Sequence, residues 1–78
     1  MPTTNDIVQA IAEHLSLNPE DLDRHADLKD ELGLGPIELN DLLISLSKKF
    51  SVSFKSEDVE GLKKIDDLVS LVEDNLLD

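Results

Sequence analysis

The stretch 32–50, LGLGPIELNDLLISLSKKF, constrains this chain more than any other. Within it Leu39, Leu42, Leu43, Leu46 and Phe50 recur at steps of three and four, the spacing that brings side chains to one face of an α-helix. Gly35 and Pro36 supply the start: Gly35 as N-cap, Pro36 at the first helical position, where its missing N–H costs nothing and its φ is already helical. At about 100° per residue, Ile37, Asp41, Ile44 and Lys48 fall on the opposite side. The helix is therefore expected to have a broad core face and an outward face that sets two isoleucines among charges. Core packing does not account for that outward pair.

The flanking segments supply further helices. Thr3 or Thr4 can cap a first one, with Asp6 in its first turn and Ile7, Ile11 and Leu15 as its apolar stripe, widened by Val8, Ala10 and Ala12. Asn18 and Pro19 start a short turn that can pin Leu22 to the core, and Asp27 starts another that holds Leu28 and Leu32 and closes at Gly33. Ser51–Phe54 alternates polar and apolar residues, but it is too short and unpartnered for a sheet and reads as an extended connector. Ser56 is expected to cap a short helix with Val59 and Leu62 facing in. Ile65, Leu68, Val69, Val72 and Leu76 mark the last helix. The sum is one all-α domain over 1–78: a four-helix bundle of three main helices and one short one, with a long first loop.

Charge and composition then exclude whole classes of function. Eighteen acids against seven bases leave a net charge of −11, which disfavours nucleic acid and anionic membrane surfaces and favours basic protein partners. No cysteine is present, so neither a disulfide framework nor a thiolate site can form. His14 and His25 have no serine or cysteine arrangement beside them and read as surface or packing residues. Asp21-Leu22-Asp23 begins like a calcium loop, but Ala26 stands where that loop needs glycine and Leu32 where it needs glutamate, so no metal site is expected. With no nucleophile–base set and no phosphate loop, no catalytic residue is expected and the protein is not read as an enzyme. The opening residues MPTTNDIVQA lack a basic segment and an apolar run, and no stretch has the length of a membrane span; a cytoplasmic monomer is the expectation.

The order and spacing of these features resemble the acyl carrier protein family. The residues that carry the resemblance are the Leu28…Leu32-Gly33 turn, the leucine-rich central helix ending in Lys49-Phe50, and the Phe54…Glu57…Val59…Leu62 segment. The resemblance implies a small helical bundle that bears a phosphopantetheine arm on the serine of an Asp-Ser-Leu triplet at the start of the central helix. It also implies that the outward side of that helix docks on basic patches of partner enzymes.

In this chain the triplet falls on Gly35-Pro36-Ile37, and Pro36 occupies the usual serine position without a hydroxyl. The expectation is therefore no phosphopantetheine and no other cofactor. The chain reads as a non-enzymatic adaptor of fatty-acid, polyketide or related thioester metabolism, contacting enzymes or carriers of that metabolism through Ile37, Asp41, Ile44 and Lys48. Two alternatives stand beside it: a genuine carrier modified at another serine, and a small bundle that binds a hydrophobic ligand between its helices.

Overall fold

The computed structural model describes residues 2–76. Its elements are α1 (Thr4–His14), a single 3₁₀ turn (Pro19–Asp21), α2 (Pro36–Phe50), α3 (Ser56–Glu60) and α4 (Ile65–Leu76). Among the described residues there is no strand, only an isolated bridge between Asp27 and Lys64. The all-α expectation holds, and the Ser51–Phe54 segment forms no strand; Ser51, expected to be extended, is instead the left-handed C-cap of α2, and residues 52–54 connect it to α3.

Each main helix begins on a definite chemical device. At α1, Thr3 is the cap: its hydroxyl accepts the Asp6 N–H at 3.2 Å while the Asp6 carboxylate accepts the Thr3 N–H at 2.8 Å, a reciprocal capping box that satisfies two otherwise unpaired donors. At α2, Gly35 and Pro36 take the N-cap and first positions. At α4 the device is tertiary. The Ile65 and Asp66 N–H groups donate to the carbonyls of Ala26 and Arg24, at 3.1 and 2.9 Å, so the long loop caps a helix it precedes by some forty residues. The Asp67 carboxylate adds bonds from the Lys63 and Lys64 N–H groups at 3.1 and 2.9 Å. The Arg24 Nε–Asp66 Oδ1 pair at 2.6 Å closes the same junction.

Two local details differ from expectation. Ser56 lies inside α3 and Lys55 is the N-cap, with no side-chain cap bond. Asn18 takes the N-cap position of its turn, but its amide donates to the Asp21 carboxylate at 3.3 Å rather than its oxygen accepting from the backbone.

α1, α2 and α4 pack against one another around one aliphatic core. Ile7 and Ile11 come from α1, Leu42, Leu43, Leu46 and Phe50 from α2, and Ile65, Leu68, Val69 and Val72 from α4. Leu22 and Leu28 seal it from the loop and Val52 from the connector. Leu39, Val59 and Leu62, expected to face in, are only half-buried, because α3 is a single short turn that covers its side of α2 incompletely. Leu42 and Leu46 are fully enclosed, whereas Ile44 is 46% exposed. Leu46→Ala or Leu42→Ala is thus expected to lower the unfolding free energy by about 2–5 kcal/mol, and Ile44→Ala to change it by no more than about 0.5 kcal/mol, measured by urea denaturation. Equal losses at positions 44 and 46 would mean that α2 is rotated from this setting.

Candidate docking face and cleft on the central helix

The start of α2 is shaped by a carboxylate. Gly35 has φ −78° and ψ 178°, extended values open to any residue, so its backbone does not demand glycine. A Cβ built there would lie 2.9 Å from Glu38 Oε2, the far end of a flexible side chain that can move aside. Glu38, in the first turn, folds back over the glycine and puts its negative charge at the positive end of the helix dipole.

Along the outward side of α2, Ile37 is 76% exposed, and Asp41, Ile44 and Lys48 are exposed as well. The structure does not gather all four into one pocket. Ile44 and Lys48 line a shallow cleft of about 560 Å³ with Asn40, Ser47, Phe54 and Val59, between α2, the connector and α3. Ile37 and Asp41 do not line it and stand on the open helix surface. Single exposed isoleucines are ordinary, but here two share one stripe, on either side of Asp41, and the second borders a cleft.

A second cleft, of about 380 Å³, lies on the neighbouring side of α2. Its apolar wall includes Leu34, Leu39, Leu43, Val59 and Leu62; Gly35 and Pro36 stand at one end, and Lys29 and Lys63 also line it. Sequence reasoning allowed for an apolar site between the helices but named none of its residues. The usable signal was the position of Leu39 on the leucine stripe near the start of α2, opposite a helix too short to cover it. The histidines take no part in either cleft: His14 and His25 are exposed, and His25 Nδ1 lies 3.9 Å from Asp66 Oδ2. Among the described residues no three His, Cys, Asp or Glu side chains are placed to hold a metal ion. No helix there is long and apolar enough to cross a membrane.

Comparison with known proteins bears on the domain as a whole. Residues 5–72 match the family model described as "Phosphopantetheine attachment site". An acyl carrier protein of Campylobacter jejuni subsp. doylei is 32% identical over 97% of each chain, and one of Exiguobacterium sibiricum is 32% identical over 87% of this chain and 86% of its own. Among solved structures, the crystal structure of an acyl carrier protein from Thermotoga maritima superposes with a TM-score of 0.73, covering 90% of this chain and 81% of that one at 24% identity, which bears on the fold.

These matches overturn the expectation of no cofactor. The matching family is defined by phosphopantetheine attachment and its relatives here are acyl carrier proteins, so phosphopantetheine is the prosthetic group that goes with this fold. The expectation rested on one position, whereas the match spans the domain. At that position the chemistry is nonetheless fixed: Pro36 has no hydroxyl oxygen for a phosphodiester, so the group does not fit residue 36 itself. The serine hydroxyls within α2, on Ser45 and Ser47, lie roughly two and a half and three turns further along, and Ser47 Oγ donates to the Val52 carbonyl at 2.5 Å.

The packing of Glu38 over Gly35 has a measurable consequence. Gly35→Asp supplies a better N-cap, but its carboxylate competes with that of Glu38 for the same space and the same end of the dipole. A double-mutant cycle by thermal denaturation is expected to show Gly35→Asp more favourable in a Glu38→Gln background, by on the order of 0.5 kcal/mol. Equal effects in the two backgrounds would place the Glu38 carboxylate elsewhere.

Proposed function

The chain belongs to the phosphopantetheine attachment-site family, and from that premise we propose that it is an acyl-carrier-type docking domain of acyl-thioester metabolism, held by partner enzymes through the outward side of α2. It performs no catalysis of its own. The observation that carries this reading is the exposure of Ile37 and Ile44 on one helix face beside Asp41.

The physics of such a dock is a short apolar contact inside a charged frame. Ile44 and the adjoining cleft give a partner side chain a surface to desolvate, and the net charge of −11 draws a basic partner surface in from a distance. Asp41 accepts a basic side chain near the middle of the helix. Lys48, one turn beyond Ile44, reverses the sign, so the matching partner surface carries an acid at that end. Rim charges of this kind set which partner docks and how fast, more than how tightly.

A gain-of-function experiment tests the reading and does not require the natural partner. The Gly35→Asp/Pro36→Ser variant restores an acceptor hydroxyl at the start of α2. Co-expressed with a bacterial phosphopantetheinyl transferase, it is expected to gain the arm on the peptide containing position 36, with the wild-type mass measured alongside to record any arm attached elsewhere. Adding Ile44→Ala or Asp41→Lys is expected to slow that modification about tenfold with the fold intact, the effect of losing about 1.4 kcal/mol of docking energy. A double variant that never accepts the arm, or one modified at full rate with both face changes present, contradicts the proposal.

A further inference from the structure

Acids and bases are not evenly mixed along this chain. Residues 42–56, from the middle of α2 through the connector to the first residue of α3, hold three of the 7 bases, Lys48, Lys49 and Lys55, and none of the 18 acids. The C-terminal end of α2 favours cations through its own dipole, which accounts for Lys48 and Lys49. It does not account for Lys55, which takes the N-cap of α3, a position suited to an acceptor, and makes no side-chain cap bond there.

The three lysines differ in what they meet. Lys49 turns toward α1, where its ammonium lies 3.8 Å from Glu13 Oε2. Among the described residues Lys48 and Lys55 form no ion pair, and both are exposed. Lys48 lines the cleft beside Ile44, and Lys55 directly precedes Ser56, which lines it too. Residues 52–54 join the end of α2 to the start of α3, so both lysines belong to the connector end of that cleft. Glu60, its one acid, stands at the far end of α3. The apolar surface between them is Ile44 with half-buried Phe54 and Val59.

That arrangement suits an apolar side chain with negative charge beside it on the connector side. A nucleic acid or an anionic membrane would extend past the two lysines and meet the acids that give the chain its net charge of −11. A short acidic stretch of protein would not, because acids further away than about 8 Å are largely screened at physiological ionic strength. We propose that the connector end of this cleft seats an acidic segment of a partner protein, one apolar side chain against Ile44, Phe54 and Val59 and its carboxylates on Lys48 and Lys55. Resting on the docking reading above, this site gives the partner two parts, one basic toward Asp41 and one acidic toward the connector.

Amide chemical shifts of the isotopically labelled full chain, in about 0.15 M salt, test it by titration with the end-blocked hexapeptide Asp-Asp-Phe-Leu-Glu-Glu and its uncharged counterpart Asn-Asn-Phe-Leu-Gln-Gln. The acidic peptide is expected to move the resonances of Ile44, Lys48, Phe54 and Lys55 and to bind roughly three- to tenfold more tightly than the uncharged one, the range open to two partly solvated ion pairs. The Lys48→Gln/Lys55→Gln variant, altered only at exposed side chains, is expected to bind the two peptides equally, with its affinity for the uncharged one unchanged. Absence of binding by the acidic peptide, equal affinities in the wild-type chain, shifts confined to other surfaces, or an undiminished preference in the lysine variant would each overturn the proposal. So would phosphatidylglycerol vesicles that move the same amides more strongly than the acidic peptide does. The docking reading stands or falls separately, on the effect of Ile44→Ala and Asp41→Lys on arm transfer, which leaves both lysines in place.

Discussion

Burial of Leu42 and Leu46 in the core shared with α1 and α4 fixes how α2 is turned about its own axis, and the surface features follow from that setting. With 3.6 residues per turn, a helix that sends positions 42 and 46 inward must send 37 and 44 outward and must turn 39 to the same side as 46. The exposed isoleucines follow from that rotation, whereas Leu39, on the core stripe, is half-covered because the five-residue α3 does not reach over it. The core that holds this setting contains one aromatic residue, Phe50, and is otherwise aliphatic. In a domain of 78 residues, which buries a modest share of its surface, the enclosed leucines carry much of the stability.

The long first loop is the second determinant. It is not slack chain between helices, because its carbonyls at Arg24 and Ala26 satisfy the start of α4 and its Leu28 N–H binds the Lys63 carbonyl. This seam holds the α3–α4 connection beside the loop, and it sets Lys29 and Lys63 along one cleft. Local hydrogen bonding and the global distribution of charge meet there.

What was legible in the sequence was whatever a single helix decides for itself. A threonine cap for α1 with Asp6 in its first turn, the Gly-Pro start of α2 and the spacing that turns Ile44 outward are all encoded within one or two turns, though not which threonine caps or that Asp6 closes a reciprocal box. The seam between residues 24–28 and 63–66 was not legible, because a bond such as Arg24–Asp66 spans 42 positions and leaves no local pattern. The second cleft escaped for the same reason: Leu39, Val59 and Leu62 have core composition, and only the brevity of α3 leaves them half-covered. At the candidate site, one substituted position was read as the absence of a cofactor, while the family match extends over 5–72 and brings phosphopantetheine with it.

The central claim is that partners meet this domain on the outward side of α2, and mapping that contact directly is its sharpest test. Amide chemical shifts of the isotopically labelled chain, followed during titration with a phosphopantetheinyl transferase, are expected to change at and around Ile37, Asp41, Ile44 and Lys48 while the outer faces of α1 and α4 stay unmoved. Shifts concentrated instead along the acidic cleft of Glu57, Asp58, Asp67 and Asp74, with α2 unaffected, would contradict the account.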